Sequence, residues 1–164
     1  MLYALNVHES EMAERSDTWH DKLKAHTEAK SSQVFVVCAK IEEEISALDP
    51  EEKEMFLEEL GIDQEGTSRL IAAGYELLGL ISFLTAGPKE VRAWTIRRGS
   101  RAQQAAGKIH SDLERGFIRA EVVAYNDLME SGTYATAKER GLVRVEGKEY
   151  IVQDGDVLLI RFNV

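Results

Sequence analysis

Covalent cross-links are missing from this sequence. One cysteine, Cys38, stands in 164 residues, so no disulfide can close within the chain. A reducing setting suits such usage, and the cytoplasm is the expected location. Long apolar runs are missing too. None approaches the ~20 residues that a membrane-spanning helix needs, and no membrane partner is expected. Met1–Ala13 holds no basic segment followed by an apolar core, so no secretory signal is read there. Internal repeats and low-complexity stretches are lacking. Metal-ligand spacing is lacking as well: His8, His20 and His26 are scattered among charges, and His110 stands apart from them. No metal site is expected.

What remains is 44% hydrophobic and 30% charged, the balance of a soluble globular chain. The net charge of −9 is unevenly spread. Residues 1–80 carry 18 acidic and 7 basic side chains, a net of −11; residues 81–164 carry 11 and 13, a net of +2. Such a shift marks a domain boundary near residue 80 and assigns any polyanion contact to the second half.

The pattern of elements changes at the same place. Leu2–Val7 and Val34–Cys38 are short apolar runs suited to strands buried in a parallel sheet. Helical spacing between them, with Trp19 and Leu23 one turn apart, makes a βαβ unit. Glu42, Glu43 and Glu44 read as a solvated helix face. Pro50, Glu51 and Glu52 open a helix that Gly61 ends, and a second helix runs over 67–80. Beyond residue 80 the spacing predicts strands over 81–85 and 91–96, one helix over 102–113 and a strand over 117–125. It also predicts a short helix over 126–131, a hairpin pairing 143–145 with 150–152, and a closing strand over 157–162. That order fits an α+β domain with one helix packed on a mixed sheet.

Several tracts together resemble the YchF family of Obg-like P-loop NTPases. The longest is Leu80-Ile81-Ser82-Phe83-Leu84-Thr85-Ala86-Gly87-Pro88-Lys89-Glu90-Val91-Arg92-Ala93-Trp94. Ala105–Asp112, Glu114–Val122, Val152–Asp156 and Arg161–Val164 follow in the family's order. The resemblance implies a ubiquitin-like β-grasp (TGS) domain over 79–162. Before it would come a remnant of the OBG-type nucleotide domain over 1–57, an incomplete α/β piece, and a helical connector over 58–78. It also implies that Asn6-Val7-His8-Glu9 stands where G domains carry Asn-Lys-x-Asp. Losing that aspartate removes the acceptor for guanine's N1–H and N2 amine, and with it the guanine preference. Asn6, Val7, Glu9, Cys38 and Ala39 are then the expected base-binding residues. Read alone, Asn6 and Glu9 could equally cap the helix that follows.

No G-x-x-x-x-G-K-[ST] segment is present, so no catalytic residue is assigned and no hydrolysis is expected from this chain alone. ATP or GTP with Mg²⁺ is what the resemblance implies for a full-length family member, not for this piece. The second half offers a basic strand: Lys89, Arg92, Arg97, Arg98 and Arg101, with Trp94 on the same face as Arg92, and Arg115 and Arg119 beyond. A basic face with an aromatic can hold RNA backbone and stack a base. The family's association with ribosomes makes rRNA or a ribosomal protein the expected partner, with no DNA specificity. The bland reading is a solvated arginine face with Trp94 in the core. Cys38 is expected to be an inert packing thiol, and His110 a capping or packing residue. Two parallel strands alone leave an apolar edge, so residues 1–45 should dock on the connector helices, self-associate, or be poorly ordered. Three functions stay open: a binding module of a ribosome-associated NTPase, an ATPase competent only when a phosphate loop is supplied, and a stand-alone β-grasp interaction domain.

Overall fold

A computed structural model describes residues 1–13, 23, 25–27, 32–62, 64–87 and 90–163. Trp19, His20, Pro88 and Lys89 lie outside the described residues, and with them the expected Trp19–Leu23 helical spacing. The chain divides into two compact units, Met1–Leu78 and Gly79–Val164.

In the first unit, β1 (Leu2–Asn6) and β2 (Gln33–Val37) pair in parallel, from Leu2 opposite Gln33 to Asn6 opposite Val37. Helix α1 (Glu9–Ala13) follows β1. Then come α2 (Ala39–Ser46), α3 (Pro50–Glu59) and α4 (Gly66–Leu78). Helix α3 starts where Asp49 Oδ1 accepts from the amides of Glu51 and Glu52, with Pro50 in the first turn where its missing N–H costs nothing. Cys38, Ile41 and Ile45 form a buried cluster with Phe56 and Leu57 against it. The apolar strand edge meets α4: Arg69 lies 5.5 Å from the Phe35 ring centroid and donates to the Val36 carbonyl at 3.4 Å. Among the described residues, β2 therefore has α4 against it.

The acidic run Glu42–Glu44 departs from expectation. Glu43 and Glu44 are exposed, but Glu42 is half-buried, and both its oxygens accept from the Gly66 amide at 2.9 and 3.0 Å. An orphan N–H at the start of α4, at the positive end of its dipole, attracts a carboxylate that sequence spacing alone would leave in water.

The second unit is a five-stranded mixed sheet of order β4-β3-β7-β5-β6. Its strands are β3 (Leu80–Ala86), β4 (Val91–Arg97), β5 (Phe117–Ala124), β6 (Arg144–Glu146) and β7 (Asp156–Phe162). Central β7 runs parallel to β3 and antiparallel to β5; the outer pairs are antiparallel. Helix α5 (Ala102–Ile109) packs on one face through Ala102, Ala105 and Ala106, whose small side chains bring the helix close to Phe83, Val122 and Leu158. The other face carries α7 (Tyr125–Ser131) and α8 (Tyr134–Glu139), over Val123, Val157 and Leu84.

Two expectations fail here. The helix over 102–113 breaks at His110, whose backbone is extended (φ −161°, ψ 144°), and a separate α6 (Ser111–Arg115) begins. The His110 ring Nδ1 accepts from the Asp112 amide at 3.2 Å, so the residue caps a new helix instead of continuing the old one. The hairpin pairing 143–145 with 150–152 does not form. β6 pairs with β5 instead, and Ile151 bridges Arg101 at the start of α5. The cause is a buried carboxylate: Asp156, 3% exposed, accepts from the Tyr150 hydroxyl at 2.7 Å and the Gln153 amide at 2.8 Å, drawing that segment toward β7.

Candidate functional site

The carboxyl ends of two parallel strands are where α/β proteins place ligands, because the strand-to-helix loops converge there. β1 and β2 end at Asn6 and Val37, and the loops beyond them are cross-linked. Asn6 Oδ1 accepts from the Ala39 amide at 3.0 Å. The Val7 amide donates to the Val37 carbonyl at 2.9 Å. Lys40 Nζ lies 2.9 Å from Glu9 Oε2. The structure thus brings Asn6, Val7, Glu9, Cys38 and Ala39 to one edge. Asn6 does cap a helix, but it caps α2, whose N-cap residue Cys38 makes no side-chain cap bond, and not the helix that follows it in sequence. His8 takes that part for α1: its amide donates to Glu11 Oε2 at 3.1 Å and its ring Nδ1 accepts from the Ser10 amide at 3.3 Å. The Cys38 thiol is buried against Ile41 and Ile45.

Lys40 lowers the Glu9 carboxyl below its ordinary value, chiefly through the hydrogen bond it donates and then through its charge. Glu9 raises Lys40 by the same two causes. The resemblance puts Lys40 in the base-supporting loop Cys38-Ala39-Lys40 without giving it a partner; the signal available for one was a cation in the first turn of a helix, where the dipole disfavours it.

The basic residues of the second unit are dispersed. Register sets Phe83 opposite Trp94 and Thr85 opposite Arg92, so Arg92 and Trp94 share the face on which α5 packs. Arg97 and Arg119 fall on the other face, since Arg97 alternates with Ile96 and Arg119 with Ala120. Arg98 lies just after β4, Arg101 opens α5 and pairs with Glu149 at 3.0 Å, and Arg115 ends α6 bonded to Asp112. Lys89 lies outside the described residues. Trp94 joins the edge of the core and donates from Nε1 to Thr85 Oγ1 at 2.9 Å, while the Arg92 guanidinium stands 4.3 Å from its ring centroid. One ring face is already covered by that cation.

A third cluster escaped sequence reading. Glu121, 7% exposed on β5, accepts from the Tyr134 hydroxyl at 2.7 Å and Arg161 Nε at 3.0 Å, with Lys138 Nζ at 3.9 Å. The Tyr134 bond, then Arg161, holds its carboxyl below the ordinary value. Burial, then the Glu121 bond, raises the Tyr134 hydroxyl. Its one clue in the sequence is a glutamate inside the apolar run Ala120-Glu121-Val122-Val123.

Residues 80–163 match the family model YchF-GTPase_C, described as a protein of unknown function (DUF933). That match covers the whole second unit but for its ends. The chain belongs to the YchF family. It is 56% identical over 165 residues to the Ribosome-binding ATPase YchF of Bacillus subtilis, covering 100% of this chain and 45% of that protein. It is 42% identical to the Obg-like ATPase 1 of Gallus gallus, covering 99% of this chain and 41% of that protein. The Schizosaccharomyces pombe YchF GTPase superposes with a TM-score of 0.82 at 30% identity, over 98% of this chain and 43% of that one. The chain therefore spans under half the length of the YchF relatives it matches. Among the described residues of this YchF chain, no group of three or more His, Cys, Asp or Glu side chains is placed to hold a metal. Among the same residues no helix is long and apolar enough to cross a membrane.

Proposed function

We propose that this chain serves as the base-edge and ribosome-contacting part of a YchF-type ATP/GTP-binding protein of the cytoplasm. The supporting observation is its 56% identity, along its full length, to a relative named a ribosome-binding ATPase. In this reading residues 1–57 are the end of an OBG-type nucleotide domain and 58–78 a connector. Residues 79–162 are then a TGS domain of β-grasp form, whose mixed five-stranded sheet with a helix across it suits that fold. The interaction module is the second unit, and Arg92, Arg97, Arg98, Arg101, Arg115, Arg119 and Lys89 are its cation set for rRNA or a ribosomal protein. Because Arg92 covers Trp94, the contact is chiefly with phosphate, and base stacking on Trp94 requires Arg92 to move.

Hydrolysis is not expected of this chain alone, because it has no G-x-x-x-x-G-K-[ST] segment to cradle phosphates. A second reading, an ATPase competent once a phosphate-loop segment is supplied, is favoured by the linked loops after β1 and β2. Co-sedimentation with ribosomes over a salt series tests the first reading. Binding should weaken steeply as salt rises, and R97A/R98A should reduce the slope by about two if each arginine meets one phosphate. Absence of binding at low salt, or binding indifferent to salt, refutes it.

A further inference from the structure

We propose that Lys40 is a positioning residue that sets purine selectivity, by holding the Glu9 carboxylate away from a bound base. The proposal rests on the reading of the β1–β2 edge as the base-binding edge. Lys40 breaks two local rules at once. It is the second residue of α2, where the helix dipole disfavours a cation. Its partner within the helix, Glu44, lies 3.8 Å away with the lysine first and the glutamate four residues later, the weaker of the two orders. The stronger contact reaches out of the helix to Glu9 at 2.9 Å, across 31 residues of sequence. Residues that contradict local preference concentrate where a site imposes its own geometry.

The consequence is chemical. Guanine presents an N1–H and an N2 amine side by side, and a free carboxylate accepts both. Adenine presents an acceptor at N1, which a free carboxylate repels. Glu9 is one methylene longer than the aspartate usual at this place, so without restraint it can still swing to meet a base. Lys40 occupies Oε2 and offsets the charge, so the two purines are met nearly alike. The Asn6–Ala39 bond fixes the loops between which this happens.

Titration of the ¹⁵N-labelled chain with AMP and with GMP, followed at the Val7, Ala39 and Lys40 amides, isolates the base because both carry the same phosphate. K40A should lower the Kd for GMP relative to AMP by roughly two- to five-fold, the range set by exposed ion pairs. K40R, which keeps the pair, should leave the ratio at its starting value. E9Q/K40A should match E9Q, because the carboxylate through which Lys40 acts is gone. An unchanged ratio in K40A overturns the proposal and leaves the base edge standing. Equal changes for both nucleotides also overturn it, by showing that Lys40 acts on phosphate. If neither nucleotide moves these amides, the base-edge reading fails and this one with it.

Discussion

Glu121 is a charged group in the middle of a buried strand, and three donors make its place there tolerable: Tyr134, Arg161 and, at longer range, Lys138. A buried carboxylate without partners would be neutral instead of charged. The folded state holds this carboxyl below its ordinary value of 4.5, because the bonded, charged form is the favoured one. Its contribution is therefore present at neutral pH and is lost as pH falls from about 4.5 downward. Glu121→Gln should cost about 1–3 kcal/mol at pH 7, since Arg161 and Tyr134 keep a weaker acceptor. The deficit should shrink in acid, where the wild-type carboxyl protonates. Urea unfolding of both proteins at pH 7 and pH 4 checks this, and a deficit constant with pH would contradict it. The sequence shows that a glutamate interrupts an apolar run, but not its partners, which lie 13 and 40 residues away. Long-range polar pairing has no period to reveal it. The basic residues illustrate the same limit: their number is legible in the chain, whereas Arg92 lying over Trp94 and Arg97 facing the opposite way depend on register.

At the scale of elements, apolar runs made the strands legible. The runs at Leu2, Val34, Ile81, Val91, Phe117 and Val157 all fall in strands, because alternation or continuous burial leaves a mark on composition. Junctions were less legible. His110 interrupts a stretch whose apolar spacing is continuous, since a side-chain cap outweighs period there. Helix α8 was not expected, although Thr133 caps it by accepting from the Thr136 amide at 3.1 Å, a pattern that single threonines rarely announce. The loops that follow β1 and β2 give the clearest element-level test. Asn6 supplies the cap that Cys38 cannot, so Asn6→Ala should destabilise α2 by about 1 kcal/mol. Hydrogen exchange at the Ala39 amide should quicken and that of the α5 amides should not. Unchanged exchange at Ala39 would show that the loop holds without Asn6.

For the whole molecule, the two units differ in charge and in core. Unit one carries the net −11 and unit two the net +2, since residues 79 and 80 are uncharged. Among the described residues each also has its own buried cluster: Cys38, Ile41 and Ile45 in the first, and a larger one around Phe83, Val122 and Leu158 in the second. A small core yields less stability than a large one, because buried apolar area grows faster than the surface that must stay wet. Unit one should therefore open first in denaturant, giving two transitions in place of one. Phe83 is wholly buried, so Phe83→Ala should remove about 3–5 kcal/mol from the second unit. The signature is selective. Exchange rates over β3, β5 and β7 should rise toward those of unit one, while rates over β1 and β2 stay where they were. A uniform rise across both units, with a single denaturant transition in the parent protein, would mean that the units fold as one cooperative body.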